Sequence, residues 1–456
     1  MNYRHPGHPG HPDHPDQPNH FNRPAYPAVG LDCGLRGNDR QHSNRPPRES
    51  GDPNQPARRS LLALLASIGG MTAGMVTPAW AQSSAAWAAI EARARGQTVY
   101  FNAWGGSDVI NRYIQWVAGE VQQRYGVRLE HVKISDAADM VKRVRAEKAA
   151  GKTRGSVDLV WINGENFLTM KREGLLFGPF AEGLPGYALV DVQGKPTTRL
   201  DFSEPVDGME APWGMAQLTF MADSRRTPEP PRSLDALLAF AKANPGRLTY
   251  PRPPNFHGTT FLKQLLLDLN TERSALYRPV TPAAFAQATT PLWRTLDDLH
   301  PQLWRAGRQF PQNAEAMRQM LADGELLLAL TFNPNDAANE IAAKRLPASI
   351  VSYQFESGTI GNTHFVAIPV NASASDGAQV VANFLLSAEA QARKADIAVW
   401  GDPTVLALER LSPADLARFA AKPLPGQVSR SAPALPEPHG SWVEPLEREW
   451  LKRYGQ

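Results

Sequence analysis

Cysteine is nearly absent: Cys33 is the only one in 456 residues, and it lies in a low-complexity leader. The rest of the chain therefore needs no disulfide, tolerates an oxidising compartment and holds no paired-cysteine metal site. Charge imbalance is also missing. Residues 82–456 carry 40 basic and 39 acidic side chains, which leaves no electrostatic footprint for nucleic acid. Long apolar runs are scarce; the mild one from Leu61 to Val76 contains several glycines and is too short to be read as a membrane span. G-x-S-x-G, HExxH and P-loop patterns do not occur. His131, His257, His300, His364 and His439 are scattered without the spacing of metal ligands, so no metal and no cofactor is expected.

What is present begins with length. With 42% hydrophobic and 20% charged residues, 456 residues can bury a large core and exceed the usual size of one domain. Residues 1–56 read as a disordered leader in which His5, His8, His11 and His14 recur every third position among prolines and glycines. Such a repeat can hold a transition metal, but a leader without a core is the simpler reading. Residues 57–81 read as a signal peptide: Arg58-Arg59-Ser60-Leu61-Leu62, a short apolar core, then Ala79-Trp80-Ala81 with cleavage after Ala81. The start is similar to a twin-arginine signal, although Leu61 stands where phenylalanine is usual and no lysine follows, so the Sec route stays open. Either route delivers a soluble protein to the periplasm.

From Gln97 the pattern alternates strand and helix. Val99 to Ala103 is a strand ending in Trp104-Gly105-Gly106, and Ser107 caps a helix with Ile110, Tyr113, Ile114, Val117 and Val121 on one face. Val127 to Val132 leads to a cap at Ser135-Asp136 and an inward face of Met140, Val141 and Val144. Val157 to Ile162 breaks into Asn163-Gly164-Glu165-Asn166 before another short helix. Such alternation predicts parallel strands with their carboxyl ends side by side, which is where ligands bind in open α/β sheets. Asp201 to Met221 reads as an extended crossing to a second lobe. There Leu248 to Tyr250 is expected to be a strand, Thr259 to Leu269 a helix, and Glu325 to Phe332 a strand ending in Asn333-Pro334-Asn335-Asp336. The chain then returns through Phe355 to Ile360 to a first-lobe strand at Thr363 to Pro369, and a helical tail near Glu444 to Tyr454 completes it.

The combination FNAWGGS at 101–107, VDLVWINGENF at 157–167, LLFGPF at 175–180, APWGMAQ at 211–217 and GRLTYPRPPNFHGTTFLKQ at 246–264 resembles the YnjB-type ABC transporter solute-binding proteins. These belong to the broad group that includes polyamine, thiamine and ferric-ion binding proteins, and VANFLLSAEAQ at 381–391 is similar to a helix common across it. The resemblance implies an α/β, two-lobed type II periplasmic-binding-protein fold with two crossing segments and an interlobe ligand cleft. Lobe 1 would occupy 97–216, lobe 2 217–356, and 357–456 would return to lobe 1 with the C-terminal helices. It further implies a monomer that captures a small solute and passes it to an ABC permease with its ATPase.

Candidate ligand contacts follow from the strand-end loops. The first lobe offers Trp104, Gly105, Gly106, Asp136, Asn163, Glu165 and Asn166; the crossing offers Trp213 and Gln217; the second lobe offers Tyr250, Phe256, Thr259, Thr260, Asn333 and Asp336. Aromatic faces among carboxylates suit an organic cation of polyamine or thiamine type. A cation over an aromatic ring is worth roughly 0.5–2 kcal/mol, and a hydrogen bond to an ionised carboxylate about 1.5–3 kcal/mol. Together they approach the roughly 8 kcal/mol of micromolar binding. Ferric binding would need clustered tyrosines, for which Tyr250 and Tyr353 are the candidates. Two other classes remain: a secreted hydrolase using Asp136, His257 and a serine, and a receptor feeding a sensor kinase.

Overall fold

Val99, Phe101 and Ala103 are fully buried while Tyr100 between them is 44% exposed, so the strand Thr98–Trp104 turns its apolar face to a core. The structure, a computed structural model, describes residues 79–420, 424–428 and 432–455, all within the compact unit Met75–Gln456. The leader and most of the signal sequence lie outside the described residues.

Thr98–Trp104 pairs in parallel with Arg128–Ile134 on one side, Val99 opposite Leu129, and with Leu159–Ile162 on the other, Phe101 opposite Leu159. Each strand feeds a helix: Asp108–Tyr125, Ala137–Ala149 and Gly164–Arg172. The three carboxyl ends therefore stand side by side, as the alternation requires. Thr359–Ala367 extends this sheet antiparallel to Leu159–Ile162 and, on its other edge, to Glu210–Gln217. Helices cover both faces: Ile110, Tyr113, Val381 and Phe384 belong to one core, and Met140, Val144, Phe167 and Met170 to the other.

The second lobe is built on Thr219–Asp223, which lies between Leu328–Thr331 and Ile350–Tyr353 and is antiparallel to both. Phe220 stacks on Phe355 and Tyr353 at ring-centre distances of 4.8 and 5.5 Å. The strand expected at Leu248 to Tyr250 is absent; these residues are buried in a loop with no ladder partner. Tyr250 instead stacks on Phe261 at 4.7 Å. Leu248 and Tyr250 demand burial, and burial was met by side-chain packing rather than by strand pairing.

Only Leu218 separates the last strand of the first sheet from the central strand of the second. Its N–H donates to the Ile360 carbonyl at 2.8 Å, so the outgoing and returning crossings lie against each other. A third passage follows. Ala434–Leu435 pairs in parallel with Thr359–Ile360, and the helix Val443–Tyr454 then enters the second lobe. Trp442, Leu446 and Trp450 are fully buried in that lobe's core. Trp450 Nε1 donates to the Tyr250 hydroxyl at 2.7 Å, which lies 2.7 Å from His300 Nε2. The helical tail read as completing the first lobe is thus part of the second. A helical period shows that one face is buried, not which surface receives it.

Candidate functional site

The first-lobe side begins with two helix starts. Asp136, exposed, caps Ala137–Ala149 by accepting the Ala138 N–H at 2.8 Å. Asn163 closes its strand by donating from Nδ2 to the Thr363 carbonyl at 2.7 Å. Gly164 then turns the chain with φ +61°, and a Cβ there would meet the Phe202 ring at 2.6 Å, so the position requires glycine. Its N–H donates to Asp201 Oδ2 at 2.7 Å. This turn presents Glu165, half-buried, at the helix start, where a carboxylate is favoured. Glu165 Oε1 accepts from Asn166 Nδ2 at 2.9 Å. Gly440 backs the turn: a Cβ would sit 3.2 Å from the Gly164 carbonyl carbon.

On the second-lobe side, the helix Phe256–Leu269 starts three residues earlier than expected because Asn255 Oδ1 caps it, accepting the His257 N–H at 3.0 Å. Phe256 is 41% exposed and stands edge-on to Phe332 at 5.0 Å. Thr259 is buried, and its hydroxyl donates to Glu447 Oε1 at 2.7 Å. One turn further, Lys263 is 1% exposed, with Nζ 2.7 Å from Glu437 Oε2 and 4.0 Å from the Phe202 ring centre. Glu437 Oε1 accepts from Asn362 Nδ2 at 3.1 Å, and its carbonyl accepts from Ser203 Oγ at 2.7 Å.

Here Asp136, Glu165, Asp201, Glu437 and Glu447 share their surroundings with Lys263 as the cation. Burial pushes the Glu165 carboxyl up, aided by Asp136 and Glu437 and opposed by Lys263. Asp201 is raised well above the ordinary range by burial, then by Glu165 and Glu437, against the Gly164 N–H and Lys263. Burial also raises Glu437, with Lys263 and Asn362 opposing. Glu447 is pushed up to about 7, by burial first and then by Glu165 and Asp136, against Thr259 and Lys263. Asp201 Oδ1 and the neighbouring Asn362 Oδ1 are buried without a hydrogen-bond donor, and Glu437 Oε2 meets Lys263 Nζ as an ion pair alone. The arrangement is short of N–H donors and of positive charge, which suits a ligand that brings both.

Other expected contacts are placed differently. Trp213 is fully buried against Trp161 and Trp400, at ring-centre distances of 5.1 and 5.5 Å, with Lys394 Nζ 3.8 Å above its ring. Tyr250 and Tyr353 are fully buried in the second core, and Thr260 is sealed beside them. These are packing residues, because an apolar body at a strand end is as useful to a core as to a ligand. Gln217 is spent on the C-terminal segment, donating to the Ala432 and Pro433 carbonyls at 3.2 and 3.1 Å. Asp336 is held through both oxygens by Arg318 at 3.0 and 2.9 Å. Asn333 Nδ2 donates to the Trp400 carbonyl at 3.2 Å, which ties the second lobe to the first.

Trp104 is half-buried, and its ring covers Gly106, where a Cβ would collide with it. The Gly105 N–H donates to the Ile134 carbonyl at 3.1 Å. Asp108, at the end of this loop, acts on Arg345, whose charge is held mainly by its hydrogen bond to Glu340. This loop therefore faces the Asp336 end of the second lobe, whereas Glu165 faces the Thr259 end. Sequence reasoning missed Asp201, Lys263, Glu437 and Glu447. Lys263 had a faint signal, one helical turn after Thr259. Glu447 had none, since 188 residues separate it from Thr259.

Two hollows of the second lobe share no residue with this group. One of about 80 Å³ is lined by Leu238, Lys242, Thr295, Asp298, Leu299 and Gln302. The other, of about 450 Å³, opens beside Asp297, His300 and Tyr454.

Residues 116–418 match the family model described as Bacterial extracellular solute-binding protein. Protein YnjB of Escherichia coli (strain K12) is 53% identical over 370 residues, covering 81% of this chain and 94% of that protein. The periplasmic binding protein AfuA from Actinobacillus pleuropneumoniae, solved with exogenous fructose-6-phosphate bound, aligns with a TM-score of 0.54 at 15% identity, over 79% of this chain and 99% of that one. The spermidine/putrescine ABC transporter substrate-binding protein PotD from Streptococcus pneumoniae gives 0.53 at 14% identity, over 79% and 100%. At these identities the solved structures speak for the fold alone, which is that of the type II periplasmic binding proteins.

Proposed function

The chain belongs to the bacterial extracellular solute-binding protein family of ABC transporters, and from that premise we propose that it captures a small organic cation of polyamine or thiamine type between its lobes. Members of this family bind solutes for transport and are not enzymes. The observation that carries the solute class is the charge count around one buried lysine: Glu165, Asp201, Glu437 and Glu447, from both lobes, all feel Lys263, and Asp136 adds its charge beside Glu165 and Glu447. Asp136, Glu165 and Asn166 supply one wall, and Phe256 and Thr259 the other. Trp213, Tyr250 and Thr260 take no part.

A solute touching both walls favours the closed form, whereas one touching a single lobe has no differential affinity and shifts nothing. A permease with its ATPase would read the closed shape. Glu165→Gln is expected to weaken binding of whichever of putrescine, spermidine and thiamine the protein takes by about ten- to a hundredfold, the loss of one charged hydrogen bond. Isothermal titration calorimetry measures this, and an unchanged affinity for a bound cation would remove Glu165 from the wall.

We place the mature N-terminus at Gln82, after cleavage at Ala81. In the uncut chain the helix Ala79–Ala94 runs through that bond, while Trp87 and Ile90 pack on the first-lobe core and would hold the remainder of the helix after the cut. N-terminal sequencing of protein recovered from the periplasm should begin Gln-Ser-Ser-Ala; another start would overturn the assignment.

A further inference from the structure

The last helix of the chain brings a carboxylate within the field of first-lobe charges. Thr259 holds Glu447 by Oε1 at 2.7 Å, while Oε2 has no hydrogen-bond partner among the described residues and is not sealed from solvent. The charged groups facing it are Glu165 and Asp136 from the first lobe and Lys263 from its own. Lys263 is already committed to Glu437 at 2.7 Å.

An independent observation points to the same kind of ligand. Asp201 and Asn362, 1% and 5% exposed, flank the Lys263–Glu437 pair, and each has an acceptor oxygen that no donor reaches. Two acceptors without donors and one half-open carboxylate are matched by a nitrogen cation with several N–H groups. The exposed face of Phe256 offers the carbon chain of such a cation an apolar surface.

We propose that Glu447 receives the cationic nitrogen of the solute opposite Glu165, which makes the C-terminal helix a specificity element of the cleft. The proposal rests on the reading of the solute as an organic cation. It predicts linkage to protons as well. With its carboxyl pushed up to about 7 by burial, then by Glu165 and Asp136, Glu447 is largely protonated at pH 6 in the empty protein. A bound cation favours the ionised form, so binding at pH 6 expels a proton and affinity rises with pH through 7.

The experiment is calorimetric titration of the mature protein and of Glu447→Gln with putrescine, spermidine and thiamine at pH 6, 7 and 8. For a probe that binds, Glu447→Gln should lose at least tenfold in affinity at pH 8. Wild-type affinity should fall roughly tenfold from pH 8 to pH 6, and the variant should lose most of that dependence. Glutamine keeps the acceptor for Thr259 and removes a half-buried charge. The variant should therefore unfold at or above the wild-type temperature at pH 8, which separates lost binding from lost folding. Glu447→Gln within twofold of wild type for a bound cation overturns this proposal and leaves the cation reading intact. Failure of all three cations to bind wild type overturns both.

Discussion

Lys394→Met is expected to lower the unfolding free energy by about 3–5 kcal/mol, the cost of leaving a buried charge without its partner. Lys394 Nζ lies 2.5 Å from Asp402 Oδ2 and donates to the Trp213 carbonyl at 2.9 Å, with both charged side chains 1% exposed. It also stands over the Trp400 ring at 4.2 Å, and His364 Nδ1 is 3.3 Å from the same Asp402 oxygen. Burial alone would raise Asp402, but His364 and Lys394 outweigh it and hold the carboxyl below its ordinary range. In the variant only His364 remains, and burial keeps that imidazole neutral near pH 7. Protonating it restores a cation beside Asp402, so the deficit should shrink as pH falls through the His364 range; burial lowers Lys394 itself to about 8, so the charged pair is fully present only below that value. Urea unfolding at pH 6 and 7.5 tests both parts; a loss under about 1 kcal/mol at pH 7.5, or one independent of pH, contradicts the account. The cluster lies against the strand Glu210–Gln217, from which the chain leaves for the second lobe. Gly214 has no room for a Cβ there because Asp402 and Lys394 fill the space.

Lys263→Met should cost a similar amount at pH 8, about 3–5 kcal/mol, for the same reason. Its pH dependence follows from carboxyls that are raised rather than depressed. Glu437 and Asp201 already sit above their ordinary values through burial, with Lys263 opposing the rise. A carboxyl raised in the folded state favours folding where it is protonated, and that contribution is lost as pH climbs through the folded value. Without Lys263 the carboxyls rise further, so the variant's deficit is smallest at acid pH, where they are protonated, and grows as pH climbs through their folded-state values. Thermal unfolding across pH 5–8 should show the variant falling away steadily from wild type. An equal loss at both ends would mean that the lysine acts through packing, for instance over the Phe202 ring.

The strand-to-helix units of the first lobe were legible because each carries its information locally. Val99, Phe101 and Ala103 mark a face, Ser107 and Asp136 mark helix starts, and Gly126 and Gly151 mark stops with left-handed backbone. Glu165 could be picked out for the same reason: Asn163-Gly164 breaks a strand, and the next side chain must stand at a helix start. Trp213 and Tyr250 show the limit of that logic. Both are large aromatics beside plausible loops, and both are in cores. Asp336 was a strand-end carboxylate with nothing local to reveal that Arg318, eighteen residues earlier, would take both its oxygens.

The C-terminal helix marks the boundary most clearly. Its apolar positions announced a buried face, but only the path of the chain after Thr359–Ala367 carried Trp450 to Tyr250 and Glu447 to Thr259.

By itself, the order of residues determined the elements, the parallel run of the first sheet and the outgoing and returning crossings, since periodicity, caps and turns act over a few neighbours. Tertiary structure decided which lobe receives the tail, which polar groups satisfy one another and which carboxylates keep an unpaired oxygen. Those outcomes depend on contacts between residues far apart in the chain, such as Gln264 with Ile360 at a separation of 96 and Thr259 with Glu447 at 188, and no local pattern encodes them.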